Sequence, residues 1–373
     1  MGHSVAIIGA RGYPSFYGGF ETLVRQLAPY LADNGWDVTV YGRRASCGAN
    51  RFQPDDRVDS IMTRGIDSRS LSTLTHGFTA AMDAARRKPD VALVLNVANG
   101  FFLPILKARG IPTVVNVDGL EWERAKWGRG AKAAFRSGAK LTARHADRLV
   151  YDSREIASRW SKDFHRDGDF IPYGGTDPGP LAPIEELSDR PYVLLVARFV
   201  PENSIDEFLT AAEELGKNWN IAIVGSANKG GGELERRAAD LSSRCSRIHW
   251  FGHIQDDQKL FALWQHAGVY FHGHSVGGTN PALVQAMACG TPIVARDTVF
   301  NREVLADTGL FTAADPARIA ATIGSLLTNP VQQKKLKVAA QLRNAEHYSW
   351  DSVCSAYAKT LATAIDHHAE ASV

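Results

Sequence analysis

Three segments hold most of the side chains in this sequence whose types and spacing could do chemistry. The first, Gly9-Ala-Arg-Gly12-Tyr-Pro-Ser-Phe-Tyr-Gly18-Gly19-Phe-Glu21, follows an apolar run and precedes a helical one. Glycines there, Gly18 and Gly19 above all, let backbone amides approach an anion at a helix N-terminus. The plainer alternative is a turn that needs positive φ. The second segment is His272-Gly-His274-Ser-Val-Gly277-Gly278-Thr279-Asn280-Pro281. It ends an apolar run and opens a helix on proline, whose missing N–H costs nothing at the first helical position. Amides of Gly277, Gly278, Thr279 and Asn280 would then seat a diphosphate. His272 and His274 have the spacing of a metal pair, but no third ligand is near in sequence, so no metal site is expected. The third segment, Asp118-Gly-Leu-Glu121-Trp-Glu-Arg124, carries two acids able to orient an acceptor hydroxyl, Asp118 and Glu121. Arg124 could meet an acceptor phosphate. The alternative is a helix N-terminus that favours acids through its dipole.

Such segments need elements to position them. Short apolar runs at 5–8, 37–41, 91–96, 112–117 and 148–151 alternate with helical stretches such as 19–34. That alternation predicts right-handed βαβ crossovers and a parallel sheet. A Pro/Gly-rich passage at 171–183 interrupts it. Strands then resume at 192–196, 221–224, 248–251, 268–271 and 292–295, with helices clearest at 205–215 and 281–288 and a last one near 350–367. The expected division is an N-terminal Rossmann-like domain at 1–172, a linker at 173–190 and a C-terminal Rossmann-like domain at 191–348. A terminal helix at 349–373 would cross back to the first domain. The fold class is therefore α/β, two tandem doubly wound domains facing a central crevice at the carboxyl ends of their strands.

Several classes fit poorly. The first loop lacks GxGxxG spacing, and the second strand ends in Tyr41-Gly-Arg43-Arg44 without an acidic ribose ligand. The two arginines would suit an NADP phosphate, which keeps an oxidoreductase as a rival. Net charge is +2, with 22% charged and 45% hydrophobic residues in 373, so nucleic acid has no global attraction here. Neither a helix-turn-helix pattern nor RNP-type aromatics appear. Cys47, Cys245, Cys289 and Cys354 lie far apart, which suits a reducing compartment. No charged leader precedes the first strand, and no apolar run approaches the roughly 20 residues of a membrane span. The expected location is cytoplasmic, peripheral on the inner face of the membrane. The peripheral contact comes from Arg124, Lys126, Arg129, Lys132, Arg136, Lys140 and Arg144, a run with no acid between. Its last four members repeat at i, i+4 beside Trp122, Trp127 and Phe135, the signature of a helix on anionic lipid; a solvated face is the bland alternative.

A family resemblance adds to this. The segment Arg198-Phe-Val-Pro-Glu202-Asn203 resembles the donor-phosphate loop of glycosyltransferase family four, Gly252-His253-Ile254 its base-binding turn, and residues 275–290 its donor-sugar loop and helix. Tyr17-Gly-Gly-Phe-Glu21 and Gly35-Trp-Asp-Val-Thr-Val are also similar. Asp118-Gly-Leu-Glu-Trp-Glu-Arg124, Gly277-Gly-Thr-Asn-Pro281 and Phe300-Asn-Arg-Glu303 resemble the branch containing bacterial rhamnosyltransferases of cell-surface polysaccharide synthesis. The likeness spans essentially the whole chain.

The resemblance implies a GT-B fold and a retaining, metal-independent transfer. The sugar would come from a nucleotide-diphosphate donor, with no other cofactor, and pass to a glycan or lipid-linked acceptor. Rhamnose on deoxythymidine diphosphate is the first sugar implied, with uridine- or guanosine-diphosphate hexoses behind it. Catalysis would involve Asp118, Glu121 and Arg198. Donor contacts would come from Gly18, Gly19, Asn203, Gly252, His253, His274, Gly277, Gly278, Thr279, Asn280 and Gln285, and an acceptor contact from Arg124. Two departures stand out. The broader family places glutamates eight positions apart where this chain has Gly277 and Gln285, and a lysine where it has Asn203. Glutamine still offers one amide oxygen to a hydroxyl; phosphate charge would fall to Arg198 and helix amides. A nucleotide-sugar epimerase and a degenerate, non-catalytic binding protein are the alternatives on the same fold.

Overall fold

A computed structural model describes residues 2–15, 18–43, 55–66, 72–124, 127–187, 191–227 and 232–371. Tyr17, Arg44, Cys47, Lys126 and positions 188–190 of the expected linker lie outside these residues. The chain divides into two compact units, Met1–Tyr173 together with Trp350–Val373, and Gly174–Ser349.

The first unit carries strands β1 (Ser4–Ile8), β2 (Asp37–Arg43), β3 (Val58–Thr63), β4 (Val91–Leu95), β5 (Thr113–Asn116), β6 (Arg148–Tyr151) and β7 (Asp169–Phe170). They form one sheet in the order β3-β2-β1-β4-β5-β6-β7, all parallel. Helices α1 (Gly19–Asp33), α2 (Ser72–Arg87), α3 (Leu103–Lys107), α4 (Arg129–His145) and α5 (Arg154–Phe164) make the crossovers. A parallel sheet is covered on both faces, so its central strands are apolar throughout, and every residue of β4, Val-Ala-Leu-Val-Leu, is buried. Helix α1 turns Leu23, Val24, Leu27 and Leu31 inward, one stripe at helical spacing.

The second unit repeats the plan with β8 (Tyr192–Val196), β9 (Asn220–Val224), β10 (Ile248–Gly252), β11 (Val269–His272), β12 (Ile293–Arg296) and β13 (Leu310–Thr312). Their order is β10-β9-β8-β11-β12-β13, again parallel. Helices α6 (Ile205–Leu215), α7 (Glu233–Arg244), α8 (Asp257–His266), α9 (Pro281–Ala288), α10 (Val299–Leu305), α11 (Pro316–Leu327) and α12 (Pro330–His347) intervene. Phe208 and Phe271 stack at 5.3 Å in a core shared with Leu195, Ile223 and Ile319. Asn280, Asp315 and Asn329 cap helices that each begin on proline, so local sequence alone dictates where α9, α11 and α12 start.

The last helix, α13 (Trp350–Ala371), belongs to the first unit. Its buried Tyr357 hydroxyl accepts from Asn116 Nδ2 at 2.6 Å, and Thr360 donates to Asp169 at 3.0 Å. The Pro/Gly-rich passage is no loose tether, because from Gly174 it packs with the second unit. The Gly175 N–H donates to the Tyr348 carbonyl at 2.9 Å, and Leu181 N–H to Gln265 Oε1 at 2.8 Å.

Candidate functional site

In a doubly wound sheet, ligands collect where strand order reverses, at the carboxyl ends. In the second unit β8 and β11 are the neighbours at that point, and the loops that follow them carry Arg198 and the Gly277-Gly278 turn. Several bonds lace these loops together. Ser275 donates through both N–H (2.9 Å) and Oγ (2.8 Å) to the Glu202 carbonyl. Ser204 Oγ donates to the Gly273 carbonyl and accepts from Arg296, each at 2.9 Å. A Cβ at Gly273 would stand 2.3 Å from the Asn203 carbonyl, so only glycine permits this approach. Gly277 sits at φ 110°, a conformation side chains resist. Asn280 spends its side chain on the cap, accepting from Ala282 N–H at 3.0 Å. Thr279 is buried beside it, and the Arg198 side chain is exposed. An exposed guanidinium and a glycine turn entering a helix N-terminus together suit a polyanion.

Two expected donor contacts face elsewhere. Asn203 is buried and donates through Nδ2 to the Arg198 carbonyl at 2.9 Å, so it shapes the arginine loop from within. Gln285 is buried too. Its Nε2 donates to the Thr176 carbonyl at 2.7 Å and its Oε1 accepts the Thr176 N–H at 3.0 Å. The amide thus pairs reciprocally with one backbone residue. Gly252 ends β10 at φ 63° and accepts Gly225 N–H at 2.7 Å, which leaves His253 exposed at the rim.

His272 is fully buried at the end of β11, 3.0 Å through Nδ1 from the Tyr270 hydroxyl and stacked on His274 at 4.4 Å. Burial, and secondarily His274, hold its pKa well below the ordinary value. Burial therefore favours its neutral form, and its ring lies against that of His274.

In the first unit β1 and β4 are the neighbours at the reversal. A Cβ at Gly9 would lie 2.4 Å from the Leu95 carbonyl, and one at Gly18 would lie 2.8 Å from Glu21 Oε2. Gly18 immediately precedes α1, which begins on Gly19. Glu21 is buried and accepts Arg11 N–H at 3.1 Å; burial raises its pKa, and Arg11 partly opposes the rise. Beyond β4 and β5, Asn96 and Asp118 both take positive φ, 72° and 63°. Asn96 Nδ2 donates to Asp118 Oδ2, and Asp118 N–H to Asn116 Oδ1, each at 2.9 Å. Asp118 is half-buried. Glu121 and Arg124, by contrast, engage each other at 2.7 Å, and Trp127 Nε1 donates to Glu121 at 2.7 Å. Both are well covered. The structure thus keeps Asp118 among the candidate acceptor groups and turns Glu121 and Arg124 into a brace for its loop. The residues that sequence reasoning missed are Asn96 and Asn116. The only available signal was an asparagine at or next to the end of each of two apolar runs.

Two parallel-sheet α/β units, each with its loops at the reversal point, constitute the GT-B architecture. A family model described as Glycosyl transferases group 1 matches residues 182–343, and one described as Glycosyl transferase 4-like domain matches 18–174. Together they take in most of the chain, which belongs to the GT-B glycosyltransferases. The MMP alpha-(1->4)-mannosyltransferase of Mycolicibacterium hassiacum is 26% identical over 91% of this chain and 93% of its own length. The phosphatidyl-myo-inositol mannosyltransferase of Mycobacterium leprae is 31% identical over 54% and 55%. The matched stretch takes in only about half the length of several such relatives. Among solved structures, sucrose-phosphate synthase from Thermosynechococcus elongatus has the same fold, with TM-score 0.78 at 18% identity over 96% of this chain and 98% of that one.

Proposed function

We propose that this chain is a retaining glycosyltransferase that moves a sugar from a nucleotide-diphosphate donor to a glycan or lipid-linked acceptor in cell-surface polysaccharide synthesis. The observation that carries the reading is the pair of laced loops after β8 and β11. They bring exposed Arg198 and the Gly277-Gly278 turn to the reversal point of the second sheet. Those groups would take the charge of the departing diphosphate, which is where such a transfer needs help most. The anomeric carbon–oxygen bond to the diphosphate breaks, the acceptor oxygen bonds to the same face, and its proton passes to the leaving diphosphate. Protein cations and amides serve where other transferases use a metal ion. In the first unit, Asp118 orients the acceptor hydroxyl.

The Gly277-Gly-Thr-Asn loop makes deoxythymidine-diphosphate rhamnose the first donor to test. Guanosine-diphosphate mannose comes next, because the relatives are named mannosyltransferases. Asn203 and Gln285 bond within the protein, so in this reading the phosphate charge falls to Arg198 and the loop amides, and a degenerate binding protein is the alternative that an assay of turnover separates. The location proposed is cytoplasmic, against the inner face of the membrane. Lys132, Lys140 and Arg144 of α4 would give electrostatic contact, while Arg136 already pairs with Asp163 at 3.4 Å. Among the described residues no helix is long and apolar enough to cross a membrane.

Arg198→Ala tests the reading. Transfer should fall by roughly 10²–10³, the usual cost of removing one group that stabilises developing charge, with an unchanged melting temperature. Wild-type turnover in that variant would sink it. The donor is found by asking which nucleotide sugar raises the melting temperature of the wild type.

A further inference from the structure

A helix that lies on anionic lipid needs two things, an outward cationic face and exposed apolar side chains that can enter the acyl boundary. Helix α4 has the first, but none of the large exposed apolar side chains among the described residues lies on it. Helix α12 has both. Its inner stripe, Leu336, Ala340 and Asn344, is buried, and Asn344 Nδ2 donates to the Val284 carbonyl of α9 at 3.0 Å. On the other side Val331, Val338 and Leu342 are 79%, 48% and 65% exposed. Lys334 and Lys335 stand between them, and together these residues line a shallow depression of about 480 Å³.

The charge on this face is mostly cationic. From Pro330 to Ala345 the helix carries Lys334, Lys335, Lys337 and Arg343 and no acid, and Glu346, exposed in the last turn and 3.6 Å from His347, is its one acidic residue. Arg343 is turned inward onto the carbonyls of Val304 and Glu303 at 2.6 and 3.0 Å, so the lysines make up the outward positive charge. Lysine stems extend an apolar surface while their ammonium groups reach for phosphate. A second copy docked through the same face would bring like charge against the two lysines, whereas an anionic bilayer complements both the lysines and the apolar side chains.

We propose that the outer face of α12 is a membrane-docking surface that inserts Val331, Val338 and Leu342 among anionic lipids, with Lys334 and Lys335 on the headgroups. It stands independently of the transferase reading and of the charge on α4. Each lysine near an anionic leaflet is worth about 1 kcal/mol, a factor of roughly 5.

The test is co-sedimentation of the full chain with vesicles of phosphatidylcholine alone and with roughly one third phosphatidylglycerol. Wild type should bind the anionic vesicles. V331S/V338S/L342S and K334E/K335E should each weaken that binding roughly tenfold or more, without lowering the melting temperature or transfer to a soluble acceptor. Alanines at Lys132, Lys140 and Arg144 separate the two helices. Binding that vanishes only in that α4 variant, or that survives the α12 serines, overturns the proposal. So does a wild type that self-associates in sedimentation velocity through the same three side chains and ignores vesicles.

Discussion

Replacing Gln285 with glutamate restores the residue the wider family has, and the structure predicts that it harms this protein. The side chain is 8% exposed and uses both ends of its amide on Thr176, donating at 2.7 Å and accepting at 3.0 Å. Gly175 makes the approach possible, since a Cβ there would meet the Val284 carbonyl at 2.5 Å. A carboxylate keeps the accepting half. It sets its second oxygen against the Thr176 carbonyl, so one hydrogen bond is lost, a buried carbonyl loses its donor, and two oxygens repel. Together these amount to about 2–4 kcal/mol for the ionised form.

The group would escape by holding its proton. A penalty of that size corresponds to a folded pKa raised by roughly 1.5–3 units above an unfolded value of about 4.3. The raised pKa means that relative stability is complete below about pH 4.3 and lost as pH rises through about 6–7. Protonated, the carboxyl donates to Thr176 as the amide did. Thermal melts of wild type and Gln285→Glu between pH 5 and 8 check this, at roughly 2–4 °C per kcal/mol for a unit of this size. The deficit should be clear at pH 8 and reduced to about 1 kcal/mol at pH 5. A Gln285→Met control should lose stability with no pH dependence. A glutamate variant that melts with wild type at pH 8 and binds donor more tightly would refute the reasoning and return the residue to the ligand.

Two further groups should leave opposite marks on the pH dependence of stability. Burial raises the folded pKa of Glu21, so its contribution is whole below the ordinary 4.5 and lost as pH rises above it; Glu21→Gln should remove that slope, and parallel melting curves would count against it. Burial depresses His272, so its contribution is present above 6.5 and lost as pH falls, by up to about 1.4 kcal/mol per pH unit. His272→Gln should start less stable at pH 8 yet lose less on acidification to pH 5, and an unchanged acid slope would show that the ring protonates freely in the folded protein.

The sheets were legible in the sequence because parallel strands buried on both faces are continuous apolar runs, as in Val91–Leu95. Strand β3, Val-Asp-Ser-Ile-Met-Thr, was not. It lies at the sheet edge with Asp59, Ser60 and Met62 exposed, so nothing in its pattern marks a buried element. The two-residue β7 and three-residue β13 are too short for any periodicity. Loop glycines were legible because their spacing records a backbone need, which Gly9, Gly18, Gly273 and Gly277 all meet. Side-chain roles were less so. Asn203, Gln285, Glu121 and Arg124 are residue types that could face a ligand or the protein, and only packing decides between the two.

That decision also separates the acids of the third segment. Glu121 has a cation and an indole N–H at 2.7 Å and is covered; a catalytic role would require breaking an ion pair already formed. Asp118 is held differently. Its backbone and that of Asn96 sit in the left-handed region at the ends of adjacent strands, a conformation that for non-glycine residues persists only where surrounding bonds over-determine it. Those bonds are present: Asn96 Nδ2 on one carboxylate oxygen, and Asn116 Oδ1 on the Asp118 N–H. Asn116 is in turn held by Tyr357 of α13. A strained carboxylate kept half-exposed at the end of a central strand, and oriented from two sides, is what positioning an acceptor hydroxyl requires. The terminal helix, which reaches the first unit only after the whole second unit has been traversed, thus contributes through Asn116 to the aim of that carboxylate.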